Sequence, residues 1–330
     1  MSQLTLRPAT SADVLVLFDL IVALAEYEKL AHAVTGSVEA LEKHLFGTTP
    51  YIEAIVAEYT GKVVGFALFF HNYSTFLAKP GIYLEDLFVL PEFRRLGIGK
   101  AILSYLAQLA LSRNCGRFEW SVLDWNENAI SLYKNMGATI LEQTRICRLT
   151  AQPLTELAAR SSLKIRKATP EDMPILWRLL HNKAEFDKKL DTLSASPEAL
   201  EAHFFGQPNY IEAIVAESEG EVVGFASFFY NYSTFLTKPG LYIDDLFILP
   251  PHRRQGLGKA MLAYLAQLAI ERDCGRLEWL VAVWNDNGIA FYQRLGAIIL
   301  PDWRICRVTE DKLNQLAAKS SQNLNFSGRS

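Results

Sequence analysis

The sequence predicts an α/β fold that occurs twice along the chain, each copy with a mixed, twisted sheet flanked by helices. Two observations lead to this prediction. Segments with the apolar patterns of strands alternate with amphipathic helical segments. The whole pattern then repeats, because Arg7 recurs as Arg166 and Cys115 as Cys274, a constant shift of 159 residues without a gap.

The length of the chain fits this duplication. With 330 residues, each copy has enough chain to bury a core of its own. We therefore predict two tandem domains, residues 1–155 and residues 163–330, joined by a short linker that contains serine and alanine.

The first part of each copy is predicted to contain a strand, two helices and a hairpin. A capping-box pattern marks the start of the first helix, and a glycine turn joins the two hairpin strands. In the first copy the predicted elements are a strand at residues 4–8, a helix from Thr10 to about Tyr27, a helix that begins near Ser37, and strands at residues 51–58 and 63–70.

The second part of each copy is predicted to alternate strands with helices. A loop at residues 72–81 leads to it, and glycines end both of its helices. The predicted elements are a buried strand at residues 84–90, a helix that ends before Gly116, a strand at residues 118–122, a helix that ends at Gly137, and closing strands at residues 138–141 and 145–149. The predicted order is βααβββαβαββ.

The composition argues against several classes of function. A net charge of −3 does not suit a nucleic-acid partner, because phosphate backbones require a basic surface. No uninterrupted apolar span reaches membrane length and the N-terminus lacks a signal-peptide pattern, so we expect a cytoplasmic protein without a membrane partner. No metal site is predicted, since the histidines and the four cysteines lack ligand spacing.

A glycine loop between a buried strand and a helix is the first candidate binding site. Gly97 and Gly99 lead the chain into the helix. The main-chain N–H groups of such a loop and of the first helical turn point toward one place and favour a phosphate. Arg94 and Arg95 would add charge-assisted hydrogen bonds. Taken alone, the loop is also compatible with an ordinary structural turn.

A second candidate group follows the next strand. Asn126 is placed to cap a helix, and Tyr133 follows seven residues later, about two helical turns, on the same helix face. This spacing predicts a tyrosine hydroxyl beside the mouth of the glycine loop. The alternative is that Tyr133 is an ordinary core residue.

The arginine and glycine spacing in both loops resembles a known family. Residues 94–99, RRLGIG, and residues 253–258, RRQGLG, are similar to the R/Q-x-x-G-x-G/A acetyl-coenzyme A signature of the GNAT N-acetyltransferases, whose fold has the predicted element order. More narrowly, the YLED sequence before the loop, the Trp-Asn pair before Tyr133 and the LAEYE sequence at residues 24–28 resemble the diamine (spermidine/spermine) and thialysine acetyltransferase group.

The resemblance implies acetyl-coenzyme A as the cofactor and gives roles to particular residues. Glu85 would act as the general base toward the substrate amine through a water, and Tyr133 would protonate the departing thiolate. The implied cofactor contacts in the first copy are Leu87, Val89, Arg94, Arg95, Gly97, Ile98, Gly99, Lys100 and Asn126. In the second copy the catalytic pair is Asp244 and Tyr292, and the cofactor contacts are Leu246, Ile248, Arg253, Arg254, Gly256, Leu257, Gly258, Lys259 and Asn285.

The acceptor is expected to be a small cationic amine, because the candidate substrate residues are mostly acidic. These residues are Tyr27, Glu28, Asp86, Asp187 and Asp245. A polyamine, a diamine or an aminoalkyl amino acid would suit such a pocket. The copies differ at this point, since Glu85 becomes Asp244 in the second copy and Tyr27 becomes Phe186. Conversely, the family's Trp-Arg pair in the last strand is present as Trp303-Arg304 but replaced by Thr144-Arg145 in the first copy.

The sequence leaves other functions open. One or both copies could be a noncatalytic acyl-coenzyme A sensor or a dimerisation module, the acceptor could be a protein lysine, and the loop could bind a nucleotide without acyl chemistry. By resemblance to single-domain relatives that form dimers, we expect the copies to pack as an intramolecular pseudo-dimer, with a homodimer of the whole chain also open.

Overall fold

The structure, a computed structural model, describes residues 4–160 and 165–319 and the backbone of residues 325 and 326. We call residues 4–160 the first copy and residues 165–319 the second copy. The first copy contains β1 (Leu4–Pro8), α1 (Val14–Tyr27), α2 (Val38–Phe46), β2 (Glu53–Tyr59), β3 (Lys62–Ser74), β4 (Lys79–Val89), α3 (Ile98–Ser112), β5 (Arg117–Leu123), α4 (Glu127–Asn135), β6 (Thr139–Ile140), β7 (Thr144–Thr150) and α5 (Ala151–Ala158).

The second copy repeats these elements, and a short additional strand lies beyond its last helix, outside residues 165–319. It contains β8 (Ile165–Lys167), α6 (Met173–Phe186), α7 (Pro197–Phe205), β9 (Glu212–Ser218), β10 (Glu221–Ser233), β11 (Lys238–Ile248), α8 (Leu257–Glu271), β12 (Arg276–Ala282), α9 (Asp286–Arg294), β13 (Ile298–Leu300), β14 (Trp303–Thr309) and α10 (Glu310–Ala318), followed by β15 (Asn325–Phe326). The predicted fold class and element order are confirmed.

One local prediction was wrong, and one helix of each copy was not predicted. Residues 72–81 were expected to form a loop, but β3 extends to Ser74 and β4 begins at Lys79, so only a short turn remains. The buried character of Asn72 and Ser74 explains the longer strands, because their backbone groups need partners inside the protein. A helix after the last strand of each copy, α5 or α10, was not predicted.

The two copies exchange their last strands. One sheet has the order β15-β1-β2-β3-β4-β5-β14-β6 and the other has the order β13-β7-β12-β11-β10-β9-β8. Strand β14 of the second copy therefore lies between β5 and β6 of the first, antiparallel to both, and β7 takes the equivalent place in the second sheet. The predicted domain limits at residues 155 and 163 stay a prediction; residue 163 lies outside the described residues.

The helices that follow the exchanged strands pack with their new sheet. Helix α10 lies against α3, where Gln108 Nε2 donates to the Ala317 carbonyl at 3.0 Å. Leu313 and Leu316 of α10 join the core formed by Leu106 and Trp120 of the first copy. Each hydrophobic core therefore contains residues from both copies, and this burial holds the exchanged segments in place.

In each sheet the two central parallel strands stop pairing at the same point. Strands β4 and β5 pair in parallel from Gly81 to Leu84, and β4 then continues to Val89 without pairing to β5. A bulge interrupts the pairing of β3 with β4, because Leu68 pairs with Asp86 while Phe69 pairs with Leu84. Glu85 is the extra residue, and its backbone is turned away from the regular ladder.

Candidate active site

The glycine loop of the first copy presents a helix N-terminus that no side chain caps. Gly97 is the N-cap residue of α3, with φ = 81°, and a Cβ added there would meet open space. The left-handed backbone favours glycine, and the first-turn N–H groups of α3 stay directed toward that space. Gly256 repeats this geometry in the second copy, with φ = 86°.

The first arginine of each loop packs against the neighbouring elements. The Arg94 Nε donates to the Val89 carbonyl at 3.0 Å, and its guanidinium lies 4.5 Å from the ring centroid of Tyr27. Arg253 repeats this arrangement, 4.5 Å from the ring of Phe186. The guanidinium thereby links the strand end to the end of the first helix, which we expect to limit its freedom to contact a ligand.

The bulged Glu85 forms an ion pair with the other copy. Its Oε1 lies 3.1 Å from Nη2 of Arg276. Burial raises the pKa of Glu85, and the charge of Arg276 opposes that rise. The equivalent Asp244 lies 3.7 Å from Arg117 Nη2, and its pKa is raised to about 6, first by burial and then by Asp245.

Further carboxyl groups surround Glu85. Burial, with a contribution from Glu85, raises the pKa of Glu28 to about 7. Burial raises the pKa of Asp86 well above its usual value, and its buried Oδ2 has no hydrogen-bond partner among the described residues. Arg276 offsets one charge, so three ionised carboxylates at neutral pH would require a further cation beside Glu28 and Asp86.

The equivalent cluster of the second copy already contains a cation. Lys183 Nζ lies 2.6 Å from Asp187 Oδ2 and 3.2 Å from Asp245 Oδ1. Lys183 was not among the predicted site residues. The difference between the copies was visible in the sequence, because Leu24 occupies the corresponding position in the LAEYE segment of the first copy.

Tyr133 and Tyr292 are neutral phenols in matching positions. Each packs edge-to-face on a tryptophan, with centroids 5.0 Å apart for Tyr133 and Trp120 and 4.9 Å apart for Tyr292 and Trp279. Burial raises the pKa of Tyr133, and it raises the pKa of Tyr292 to about 12. Both hydroxyls therefore carry a proton at neutral pH and could donate it.

Asn126 has a structural contact of its own. Its Oδ1 accepts a hydrogen bond from the Ala129 N–H at 3.3 Å at the start of α4, and the Tyr27 hydroxyl donates to the same atom at 3.5 Å. Asn285 caps α9 in the same way, through Gly288 at 3.0 Å. The predicted cofactor contact of these asparagines stays a prediction.

The strand exchange reassigns the Trp-Arg pair. Trp303 is on the strand that enters the first sheet, and it lines the cavity beside the first loop. Arg304 pairs with Asp124 of the first copy at 3.0 Å. In the linear sequence the Trp303-Arg304 pair belongs to the second copy, but in the fold it lies in the first sheet. The second sheet receives Thr144 and Arg145 instead.

One cavity of about 870 Å³ joins these features. All the candidate site residues of the first copy line it, namely Tyr27, Glu28, Glu85, Asp86, Leu87, Val89, Arg94, Arg95, Gly97, Ile98, Gly99, Lys100, Asn126 and Tyr133. Of their described counterparts in the second copy, Asp244 alone contributes to its wall. We call the first-copy set the first site and the second-copy set the second site.

Ion pairs within each copy and between the copies form the inner wall of the cavity. Glu119 binds Arg117 at 2.8 Å and, through the exchanged strand, Arg307 at 2.6 Å. On the other side, Glu278 binds Arg276 at 2.8 Å and Arg148 at 2.6 Å. The acidic side chains Glu119 and Glu278 have lowered pKa values, although their burial acts in the opposite direction.

Two negative findings apply to the described part of the chain. Its His, Cys, Asp and Glu side chains include no group of three or more that could hold a metal ion. Among its helices, none is both long and apolar enough to cross a membrane.

A family comparison identifies the fold and its chemistry. The family described as Acetyltransferase (GNAT) matches residues 23–138 and again residues 177–297, which together are more than half of the chain. The chain belongs to the GNAT acetyltransferase family. This GNAT protein is an N-acetyltransferase, an acyltransferase enzyme with two tandem GNAT domains.

Relatives of this GNAT acetyltransferase act on small amines, according to their names. A thialysine N-epsilon-acetyltransferase from Mus musculus is 37% identical over an alignment of 171 residues, which covers 48% of this chain and 100% of the relative. The L-ornithine N5-acetyltransferase NATA1 from Arabidopsis thaliana is 30% identical, over 46% of this chain and 87% of the relative.

Solved structures share the tandem fold. A tandem GNAT protein from the clavulanic acid biosynthesis pathway covers 93% of this chain, with a TM-score of 0.51 and 17% identity, and 98% of its own chain is covered. A GCN5-related N-acetyltransferase from Sphaerobacter thermophilus covers 94% of this chain and 96% of its own, with a TM-score of 0.53 and 16% identity. At these identities the likeness concerns the fold alone.

Proposed function

We propose that this enzyme transfers an acetyl group from acetyl-coenzyme A to the primary amine of a small cationic acceptor. The observation that carries the proposal is the single cavity that connects an uncapped helix N-terminus at Gly97 with a buried carboxyl cluster at Glu85. The first end suits a diphosphate and the second suits an ammonium group.

The first site fits the cofactor on two structural counts. The open space where a Cβ of Gly97 would lie allows a ligand to approach the backbone closely. Beyond Leu84, strand β4 pairs with no strand of the described residues on the β5 side, so the backbone of Leu87 and the N–H of Val89 are available for an extended ligand, while the Val89 carbonyl accepts from Arg94. When bound, acetyl-coenzyme A supplies an acyl thioester as the electrophile.

The acceptor amine would be held and deprotonated by the carboxyl cluster. An alkyl ammonium with a usual pKa near 10 must lose a proton before it can attack a carbonyl carbon. Glu28 and Asp86 attract the cation, and desolvation in the cavity lowers the pKa of the amine. Glu85, with its own pKa raised by burial, is suited to accept the proton, directly or through a water.

The departing sulfur requires a proton as the carbon–sulfur bond breaks. The Tyr133 hydroxyl holds one at neutral pH, and it lines the same cavity as Glu85. We assign Tyr133 the role of general acid. The chain thus needs no covalent intermediate, because the acceptor nitrogen is the nucleophile.

We infer an aminoalkyl amino acid or a diamine as the acceptor class. The names of the thialysine and L-ornithine relatives support this choice, since both compounds carry a primary amine on a short alkyl chain. A polyamine belongs to the same chemical class. A protein lysine would have to reach Glu85, whose side chain is only 14% exposed.

The second site supports a different role. Its loop keeps the geometry of the first, so cofactor binding at Gly256 is proposed as well. The pairing of Lys183 with Asp187 and Asp245 favours a noncatalytic, acyl-coenzyme A-binding role for this copy. A cytoplasmic location and a homodimer stay predictions.

A titration and a turnover assay test the proposal. Calorimetry with coenzyme A counts the cofactor sites per chain, and release of free thiol measures turnover of thialysine, L-ornithine and spermidine. Glu85→Gln is expected to reduce kcat by roughly 10²–10⁴, the range typical of a general base, while retaining cofactor affinity. Asp244→Asn is the matched variant, with an expected loss at least about tenfold smaller.

Two outcomes would contradict the proposal. If coenzyme A does not bind, the loop has another role. If it binds but no amine releases thiol from acetyl-coenzyme A, the enzyme acts on a different class of acceptor.

A further inference from the structure

A lysine side chain fills the acidic cluster of the second site. Lys183 is near the end of α6, and its side chain is 15% exposed. Its ammonium lies between the carboxylates of Asp187 and Asp245, at 2.6 and 3.2 Å. It also faces the ring of Phe76, 5.2 Å away, which the first copy contributes. Carboxylates on two sides and an aromatic face on a third form a complete binding site for an alkyl ammonium.

A second difference between the copies accompanies this lysine. Ser227 donates its Oγ hydrogen to Asp245 Oδ2 at 2.8 Å. The corresponding residues of the first copy are Leu24 and Leu68, shifted by the same 159 positions, and Asp86 there keeps an unpaired Oδ2. Lys183 and Ser227 thus give each carboxylate oxygen of Asp245 a polar partner. The first site lacks both of these contacts and lies open to the cavity.

The charge of Lys183 also acts on the catalytic candidates of the second site. It counteracts the rise in the pKa of Asp244 and the rise in the pKa of Tyr292, both of which are caused mainly by burial. The charge of the ammonium therefore acts on both the proposed base and the proposed acid of the second site. In the first site, the groups of the described residues that act on Tyr133 are Cys306, Glu28 and Tyr27, and none of these is a cation.

We propose that Lys183 substitutes for the acceptor ammonium and closes the acceptor site of the second copy, so that each chain binds and acetylates amines at the first site alone. The inference rests on the proposed function, because it takes the carboxyl cluster as the acceptor site. Two ion pairs keep Lys183 protonated, so it lacks the lone pair that an attack on a thioester needs and is not itself acetylated.

Counting bound acceptors tests this inference. Lys183→Leu with Ser227→Leu gives the second copy the residues that already surround Asp86 in the first copy, so the replacement side chains have a packing precedent. With coenzyme A present, calorimetry with thialysine is expected to find one acceptor per wild-type chain and two per double-variant chain. Leu24→Lys with Leu68→Ser makes the converse change and is expected to abolish acceptor binding and turnover.

Three results would overturn the inference. These are two acceptors bound per wild-type chain, no additional acceptor bound by the folded double variant, or an acetyl group on Lys183 in peptide mass spectra after incubation with acetyl-coenzyme A. Circular dichroism of each variant verifies the fold. Failure of the proposed function is distinguishable, because the wild-type enzyme would then release no thiol with any amine.

Discussion

Arg276 of the second copy contacts Glu85 of the first, with 3.1 Å between Nη2 and Oε1, so the proposed base of one site depends on a cation from the other copy. Arg276 also binds Glu278 and donates to the carbonyl of Tyr232. The guanidinium therefore connects the base of the first copy with the inner wall of the cavity and with strand β10 of its own copy.

Arg276→Gln should shift the pH dependence of turnover. Loss of the cation raises the pKa of Glu85 further, and the base is active only when ionised, so the acidic limb of kcat/KM moves to higher pH. The free energy of unfolding should fall by roughly 3–5 kcal/mol, as expected when a buried ion pair loses one partner. The dependence of kcat/KM on pH measures the first effect, and denaturant unfolding measures the second.

Arg117→Gln is the matched control for this prediction. It removes the equivalent cation beside Asp244 and should cost a similar free energy of unfolding. The acidic limb should stay where it is if turnover belongs to the first site. An equal shift in both variants would contradict the assignment of the base to Glu85.

Gly97→Ala should weaken cofactor binding beyond its effect on stability. The left-handed backbone at φ = 81° makes alanine unfavourable by about 1–2 kcal/mol. The added methyl would also enter the space assigned to the diphosphate, so we expect Kd for coenzyme A to rise by about tenfold or more, equivalent to about 1.4 kcal/mol.

Gly61→Ala provides the control, since Gly61 has φ = 82° and equally open surroundings in an exposed turn. Both variants should lose similar stability, and only Gly97→Ala should lose affinity. Equal affinities would show that the loop does not hold the cofactor. Calorimetry and thermal unfolding provide the comparison.

Tyr133→Phe should lower kcat by roughly 10²–10⁴ while the KM for the amine changes little, because the phenol is assigned to the leaving group. Its pKa is raised by burial, so the acid stays protonated and causes no alkaline limb below the usual tyrosine pKa of about 10. Tyr292→Phe is the matched variant. An equal loss in both, or an alkaline limb near neutral pH that disappears in Tyr133→Phe, would exclude this role.

Glu28→Gln should make the enzyme more resistant to unfolding at alkaline pH. The pKa of Glu28 is raised to about 7 in the folded state, so the folded state binds the proton more tightly than the unfolded chain. Its contribution to stability is complete below the unfolded pKa and is lost as the pH rises through about 7. Glu28→Gln should remove this loss, on the order of 2 kcal/mol after allowance for solvent screening.

Denaturant unfolding at several pH values checks the effect, as the difference between variant and wild type. The difference should increase between about pH 5 and pH 8. A constant difference would mean that Glu28 titrates as an ordinary exposed carboxyl.

Local patterns predicted most of the fold and the first site. The glycine loop, the cap at Asn126 and the position of Tyr133 depend on residues close in sequence, and the duplication made the element order visible twice. The strand exchange could not be predicted in this way. Strand β7, TRICRLT, and strand β14, WRICRVT, have almost the same sequence, so the sequence of the strands does not show which sheet each one joins.

Lys183 was missed for a different reason. Its partner Asp245 is on a strand far along the chain, and a lysine near the end of a helix ordinarily has its charge in water. Only the fold brings the end of α6 next to Asp245 of β11. The difference from Leu24 was visible, but its meaning depends on a contact that the linear sequence does not show.

The crossed strands also bear on how the two copies depend on each other. If the chain were cut between α5 and β8, each fragment would carry a strand that completes the partner's sheet and would lack one for its own. The fragments should therefore recombine as a complementing pair rather than work alone. In the intact chain the two copies are covalently joined, so each meets the other at a high effective concentration. Dilution therefore cannot separate the halves of the enzyme.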